Sequence, residues 1–123
     1  MTQAGTLAYM DKRVTSGEPY DMSVDIYSLG MIFLYIYKGT GLFDNCKDKY
    51  ELKRMRSYID ENYDSYMEEE LTSIPPIMQK IIKNCLTVNH KERYTAPEIS
   101  SLLETEIGNN KSILSKLLST MDE

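Results

Sequence analysis

No apolar run in this 123-residue chain is long enough to cross a bilayer; the longest, Leu29 to Tyr37, is interrupted by Gly30. It reaches about half of the ~18 residues that a span requires, so no membrane association is expected. The start MTQAGTLAYM lacks a charged segment followed by an apolar stretch, and does not read as a secretory signal. Cysteine is scarce: Cys46 and Cys85 stand far apart, with no metal-ligand spacing. That usage points to a reducing compartment, the cytosol or nucleus. His90 is the only histidine; alone it builds no metal cluster. Without a His partner, neither cysteine has the base for Cys/His nucleophilic catalysis. Neither a G-x-G-x-x-G nor a G-x-x-x-x-G-K-[ST] phosphate cradle occurs. No Lys/Arg block appears and the net charge is −5. Nucleic acid is therefore not an expected partner, because phosphate contact needs a basic patch.

What is present fits one soluble globular domain, with 41% hydrophobic and 27% charged residues. A chain of this size buries roughly two-thirds of its unfolded surface. Acids gather from Asp60 to Glu70 and read as a solvated face. Residues 1 to 22 hold turn-formers without a sustained period and read as loop. Ser23 is placed to cap a helix, with Asp25 in the first turn at the positive dipole end. The segment Val24 to Tyr37, VDIYSLGMIFLYIY, is apolar on nearly every face, so it reads as a central buried helix. Fourteen residues favour helix over a short buried strand, and Lys38-Gly39 closes it.

A second helix is expected over Tyr50 to Tyr58, with Leu52, Met55 and Ile59 on one side, then an irregular acidic stretch with a short helix near Tyr66 to Leu71. Pro75 and Pro76 fit a helix only in its first turn, so a helix is expected from Pro76 to Leu86. Val88 to Tyr94 reads as polar loop. Thr95-Ala96-Pro97-Glu98 has the spacing of a capping box. Gly108-Asn109-Asn110 is expected to stop that helix. A last amphipathic helix follows, with Ile113, Leu114, Leu117, Leu118 and Met121 on one face. For this stripe, local packing and a partner surface both stay open. Every element is helical, so the class is all-α.

The order of three landmarks carries a resemblance. Gly5-Thr6-Leu7-Ala8-Tyr9-Met10 resembles the end of a protein-kinase activation segment, G-T-x-x-Y-M-A-P-E. Twelve residues after the position of that final Glu, such kinases have an Asp opening a large central helix; here Asp25 follows Arg13 by twelve. Asn84-Cys85-Leu86 and Asn89-His90-Lys91-Glu92-Arg93-Tyr94-Thr95-Ala96 resemble the closing signature of the lobe, where a loop delivers an Arg before T-A-x-E-I. The chain is thus similar to a serine/threonine protein-kinase-like C-lobe fragment over about residues 4 to 104. The wording around Gly17 to Gly30 resembles NIMA-related kinases. The resemblance implies a helical C-lobe without the N-lobe sheet, as residues 1–104, and a helical tail, 105–123.

It also implies roles. Thr6 matches the hydroxyl beside the catalytic loop, and Tyr9 matches the position shaping the substrate pocket. Asp25 matches the acid that holds the catalytic-loop backbone, and suits partial burial at a helix start. Arg93 matches the Arg that pairs with the A-P-E Glu. Two departures follow. The A-P-E triplet is replaced by Asp11-Lys12-Arg13, which sets Arg13 against Arg93. Two like charges at about 4 Å repel by about 1 kcal/mol in water, so loss of the bridge is expected unless Asp11 or Glu18 rescues it. That loss also suggests a pseudokinase parent. The family's catalytic Asp, metal-binding Asp, phosphate-pairing Lys and Gly-rich loop precede this region in a kinase chain, and none is in this sequence. ATP and Mg are therefore expected only if a preceding part exists. The far side of the Val24–Tyr37 helix should be exposed or covered by residues 1 to 22 or the tail. A protein partner is expected on that exposed apolar surface and on the 111–121 helix.

Overall fold

The computed structural model describes residues 9–121, without the side chains of Thr15, residues 109–114 and Met121. Among these residues the chain forms six α-helices and one 3-10 turn, and no strand. The helices are α1 (Lys12–Thr15), α2 (Ser23–Lys38), α3 (Lys49–Glu61), α4 (Tyr63–Glu70), α5 (Pro76–Leu86) and α6 (Ala96–Met121), with the turn at His90–Glu92. The all-α reading stands.

α2 is the central element. It buries Val24, Ile26, Tyr27, Gly30, Met31 and Leu34 along one face. α5 lies against that face at close range, because Gly30 presents no side chain. A Cβ at Gly30 would sit 2.6 Å from the Cβ of Cys85 and 3.0 Å from Cδ2 of Leu86. Met31, Leu34, Ile81, Ile82 and Cys85 are fully or almost fully buried around this crossing. Phe43, Leu52, Ile59, Met67 and Leu71 extend the same core under α3 and α4. Gly39 ends α2 in the left-handed region at φ 74°, where its N–H bonds to the Tyr35 carbonyl. The opposite face of α2 leaves Ile32, Tyr35, Ile36 and Tyr37 exposed. Among the described residues the helix is therefore central but covered on one side only.

Several local expectations shift. Ser23 does not cap α2: Met22 holds that position with no side-chain hydrogen bond. The Asp21 carboxylate accepts from the Ser23 N–H instead, at 3.0 Å, so the capping acid lies two residues upstream. Residues 11 to 16 are not plain loop, because Asp11 accepts from the Arg13 N–H and nucleates the four-residue α1. α3 and α4 are longer than their apolar spacing alone suggested, as Asp48 caps α3 by accepting from the Glu51 N–H. α5 has the expected bounds, with Pro76 in its first turn. The Thr95/Glu98 box is present: Thr95 Oγ1 accepts from the Glu98 N–H at 3.4 Å, and Glu98 Oε1 from the Thr95 N–H at 3.3 Å.

The expected stop at Gly108 is absent, since α6 continues to Met121. Gly108 does not take a positive φ. A mid-helix glycine costs only about 1 kcal/mol, which the residues on either side can carry. α6 meets the body through Ile99, Leu102 and Leu103. Farther out, Leu117 and Leu118 are exposed; the side chains of Ile113, Leu114 and Met121, the rest of the expected stripe, lie outside the described residues.

Candidate functional site

The most densely bonded polar site lies where the loop before α1, the foot of α2 and the loop before α6 meet. Its centre is Asp11, the one charged residue buried among the described residues, at 2% exposure. One carboxylate oxygen accepts from the Arg13 N–H at 2.9 Å. The other accepts from Arg13 Nη2 at 3.0 Å and from Arg93 Nη1. Arg93 Nη1 also donates to the Ser23 carbonyl at 3.0 Å, and Arg93 Nε to that of Thr87 at 2.9 Å. The guanidinium lies over the Tyr27 ring, 5.1 Å from its centre. Arg13 Nη2 reaches the Ser23 hydroxyl at 2.5 Å, and Arg13 lies 3.9 Å from the exposed Asp21. Arg56 completes the seam: its Nη2 donates to the Met10 carbonyl at 2.6 Å, and it covers Tyr27 and Phe43.

Burial alone would raise the Asp11 carboxyl, because it penalises the anion. The hydrogen bonds from Arg13 and Arg93 outweigh that penalty and hold it at about 2. The carboxylate is therefore an anion throughout the physiological range. Beside it, a cleft lined by Tyr27, Phe43, Arg56 and Tyr63 has a volume of about 30 Å³, room for a water or two. Small-molecule pockets run to about 300–1,000 Å³, so this cleft suits a structural water, not a nucleotide.

The expected repulsion between Arg13 and Arg93 with loss of the bridge is corrected here. Arg13 does not oppose Arg93 unaided, because Asp11 stands between them. The anion that the resemblance places at position 13 is supplied two residues earlier in sequence, by the same residue that caps α1. The signal was legible in part: an Asp two residues before an Arg is a common local turn and cap pattern. What the sequence did not state was that one carboxylate would serve both arginines.

The other singled-out residues are placed unevenly. Thr6 lies outside the described residues. Tyr9 is half-buried, and its carbonyl accepts from the Ser28 hydroxyl at 2.8 Å. Burial, then Asp44 and Tyr35, raise its phenol above the ordinary tyrosine value. Asp25 sits in the first turn of α2 but is exposed. Its carboxylate has no hydrogen-bond or ion-pair partner among the described residues, contrary to the partial burial expected of it. Nothing described here packs over it. Its stripe continues through Leu29 to the exposed Ile32 and Ile36. Among the described residues no group of three His, Cys, Asp or Glu is placed to hold a metal, and no helix is long and apolar enough to cross a membrane.

Comparison with known proteins bears on the same residues. The family model for the protein kinase domain matches residues 1–103. The calcium/calmodulin-dependent protein kinase type II alpha chain of Drosophila melanogaster is 34% identical over 95 residues, covering 77% of this chain and 17% of that protein. A probable cell division protein kinase of Encephalitozoon cuniculi is 31% identical over 106 residues, covering 84% and 40%. Human dual specificity mitogen-activated protein kinase kinase 7 is 30% identical over 112 residues, covering 82% and 24%. The chain thus spans well under half the length of these relatives. No solved structure matches it. With three sequence landmarks in order, an all-helical body and a family match over most of its length, the chain belongs to the protein kinase domain family.

Proposed function

We propose that this chain is the helical portion of a serine/threonine kinase-type domain, and that by itself it binds a protein partner without transferring phosphoryl groups. The observation that carries the reading is the uncovered stripe of α2. Asp25, Leu29, Ile32 and Ile36 follow one another along one helix face: a carboxylate with no partner among the described residues, the half-buried Leu29, and the exposed Ile32 and Ile36. Such a face is suited to receive a second element that offers backbone N–H groups to the acid and apolar side chains below it. In the family, Asp25 and Tyr9, with Thr6, take the roles named above, and in this chain those roles are part of the proposal. Residues 1–104 form the body of that unit and 105–123 a tail.

Catalytic silence is argued from chemistry. Phosphoryl transfer relies on groups that hold metal ions and phosphates in place, and this sequence contains no Gly-rich cradle, H-R-D or D-F-G. The loss of the A-P-E glutamate no longer argues for decay, because Asp11 keeps the segment tied down. A NIMA-like origin rests only on the wording of residues 17 to 30. Two free cysteines favour the cytosol or nucleus, and the acidic balance disfavours nucleic acid.

A second reading has its own support: the chain is the C-terminal piece of an active kinase, as its short share of the relatives' length suggests. Both readings make the same forecast for the purified chain, and the coding sequence upstream separates them. Calorimetry of the purified chain with ATP and magnesium is expected to show no binding, and a radiolabelled transfer assay no product. Transfer by this chain alone would overturn both readings. An upstream coding segment carrying H-R-D and D-F-G would decide for the second.

A further inference from the structure

We infer that the outer half of α6 pairs with the same segment of a second copy of this chain, as a short, parallel, two-stranded coiled coil. The inference rests on the binding-module reading and names the partner for the tail. Beyond Leu103, which packs on the core, α6 carries Ile107, Leu117 and Leu118 at 53%, 58% and 52% exposure. Ile107, Asn110, Leu114, Leu117 and Met121 succeed one another by alternating steps of three and four. That is the spacing of a coiled-coil seam, and it continues the line of Leu103. Ile107 and Leu114 take the a positions, and Leu117 takes a d position.

Charge complementarity selects a second copy. With Ile107 at a, Glu106 falls at g and Lys111 at the following e position. In a parallel pair, each g residue meets the e residue five positions on in the other helix. A two-fold axis therefore brings Glu106 of each copy to Lys111 of the other, making the contact twice. Along its own helix, neither residue has an opposite charge three or four positions away, so this pair has no use within one chain. Asn110 falls at the d position between them, where a polar residue lowers the stability of the seam. The Gly108-Asn109-Asn110 stretch, a poor helix on propensity alone, thus lies where pairing would stabilise it. The seam from Ile107 to Met121 is only about two heptads long, so the dimer should be weak.

Sedimentation equilibrium of the full chain from about 10 µM to about 1 mM tests this. The mass should rise from 14.2 kDa towards twice that value. Leu117→Asp should leave a monomer. Glu106→Lys and Lys111→Glu should each weaken association by about tenfold or more, with unchanged helical circular dichroism. An equimolar mixture of those two variants should recover it, because both cross pairs are then of opposite sign. A parent monomeric at the top concentration would overturn the inference, as would single variants that associate like the parent, or a mixture that does not recover. Association that survives these changes but is lost in Ile32→Glu/Ile36→Glu would place the contact on α2. That result sinks the coiled coil and leaves the proposed function standing.

Discussion

Two guanidinium groups converge on the Asp11 carboxylate in a site almost closed to water, so this one anion balances most of the local charge. Removing it would leave Arg13 and Arg93 facing each other with their desolvation unrepaid. Asp11→Ala is expected to destabilise by about 3–5 kcal/mol, read from the urea midpoint; a loss below about 1 kcal/mol would show that the node is not a buried pair. Adding Arg13→Glu to that variant returns an anion at the family's usual position and should recover part of the loss. The same carboxyl makes stability depend on acid. Its folded value of about 2 lies below the unfolded value of about 3.9. Its contribution is therefore complete above pH ~4 and disappears as pH falls towards 2, a change of about 2–3 kcal/mol. Asp11→Asn should flatten that slope without abolishing it, since hydrogen bonds from Ser23 also lower the exposed Asp21. Gly30 is the second decisive residue. A methyl there would meet the Cys85 Cβ, which cannot retreat without moving α5. Gly30→Ala should cost about 1–3 kcal/mol, seen as a lower thermal midpoint; an unchanged midpoint would mean that the α2–α5 crossing is looser than drawn.

At the scale of elements, α2 and α5 were readable because their signals are local and strong. Fourteen apolar-rich residues closed by Lys38-Gly39 make a helix, and a Pro-Pro start followed by an i+4 apolar stripe makes another. The bounds of α3 and α4 were less legible, since Asp48 and the polar turns between them act through caps, not through hydrophobic period. The short α1 was missed for the same reason. α6 misled in the opposite direction. Gly108 and two asparagines resemble a terminator, yet a glycine ends a helix only when it turns left-handed, and this one does not. That difference is testable. A Cβ at Gly108 would meet nothing within 4 Å, so Gly108→Ala should stabilise the helix by about 0.5–1 kcal/mol. Amide exchange near residues 104–112 should slow by about two- to fivefold, the same energy expressed as an opening constant. Unchanged or faster exchange would mean that the helix breaks at Gly108 in solution.

For the whole molecule, the core lies to one side of its longest apolar helix. Met31 and Leu34 are sealed under α5, while Ile32 and Ile36, on the opposite face, stand 47% and 67% exposed. The candidate site divides along the same line. Arg93 was legible from the closing signature and Asp11 only as one of two candidates beside Glu18, because the first depends on sequence wording and the second on a meeting of distant loops. Asp25 was legible in position but not in environment, since what covers an acid is a property of its neighbours. The exposed face has a direct consequence. Two charges placed on it, Ile32→Glu/Ile36→Glu, should leave the thermal midpoint nearly unchanged, because substitutions at open surface sites shift stability by only about 0.5 kcal/mol. They should also lower the binding of a hydrophobic dye, which reports exposed apolar area, and raise the concentration at which the protein precipitates. If instead the double variant unfolds, the face is covered in solution by part of the chain itself. The stripe would then belong to the core, and α2 would have no open side for a partner to occupy.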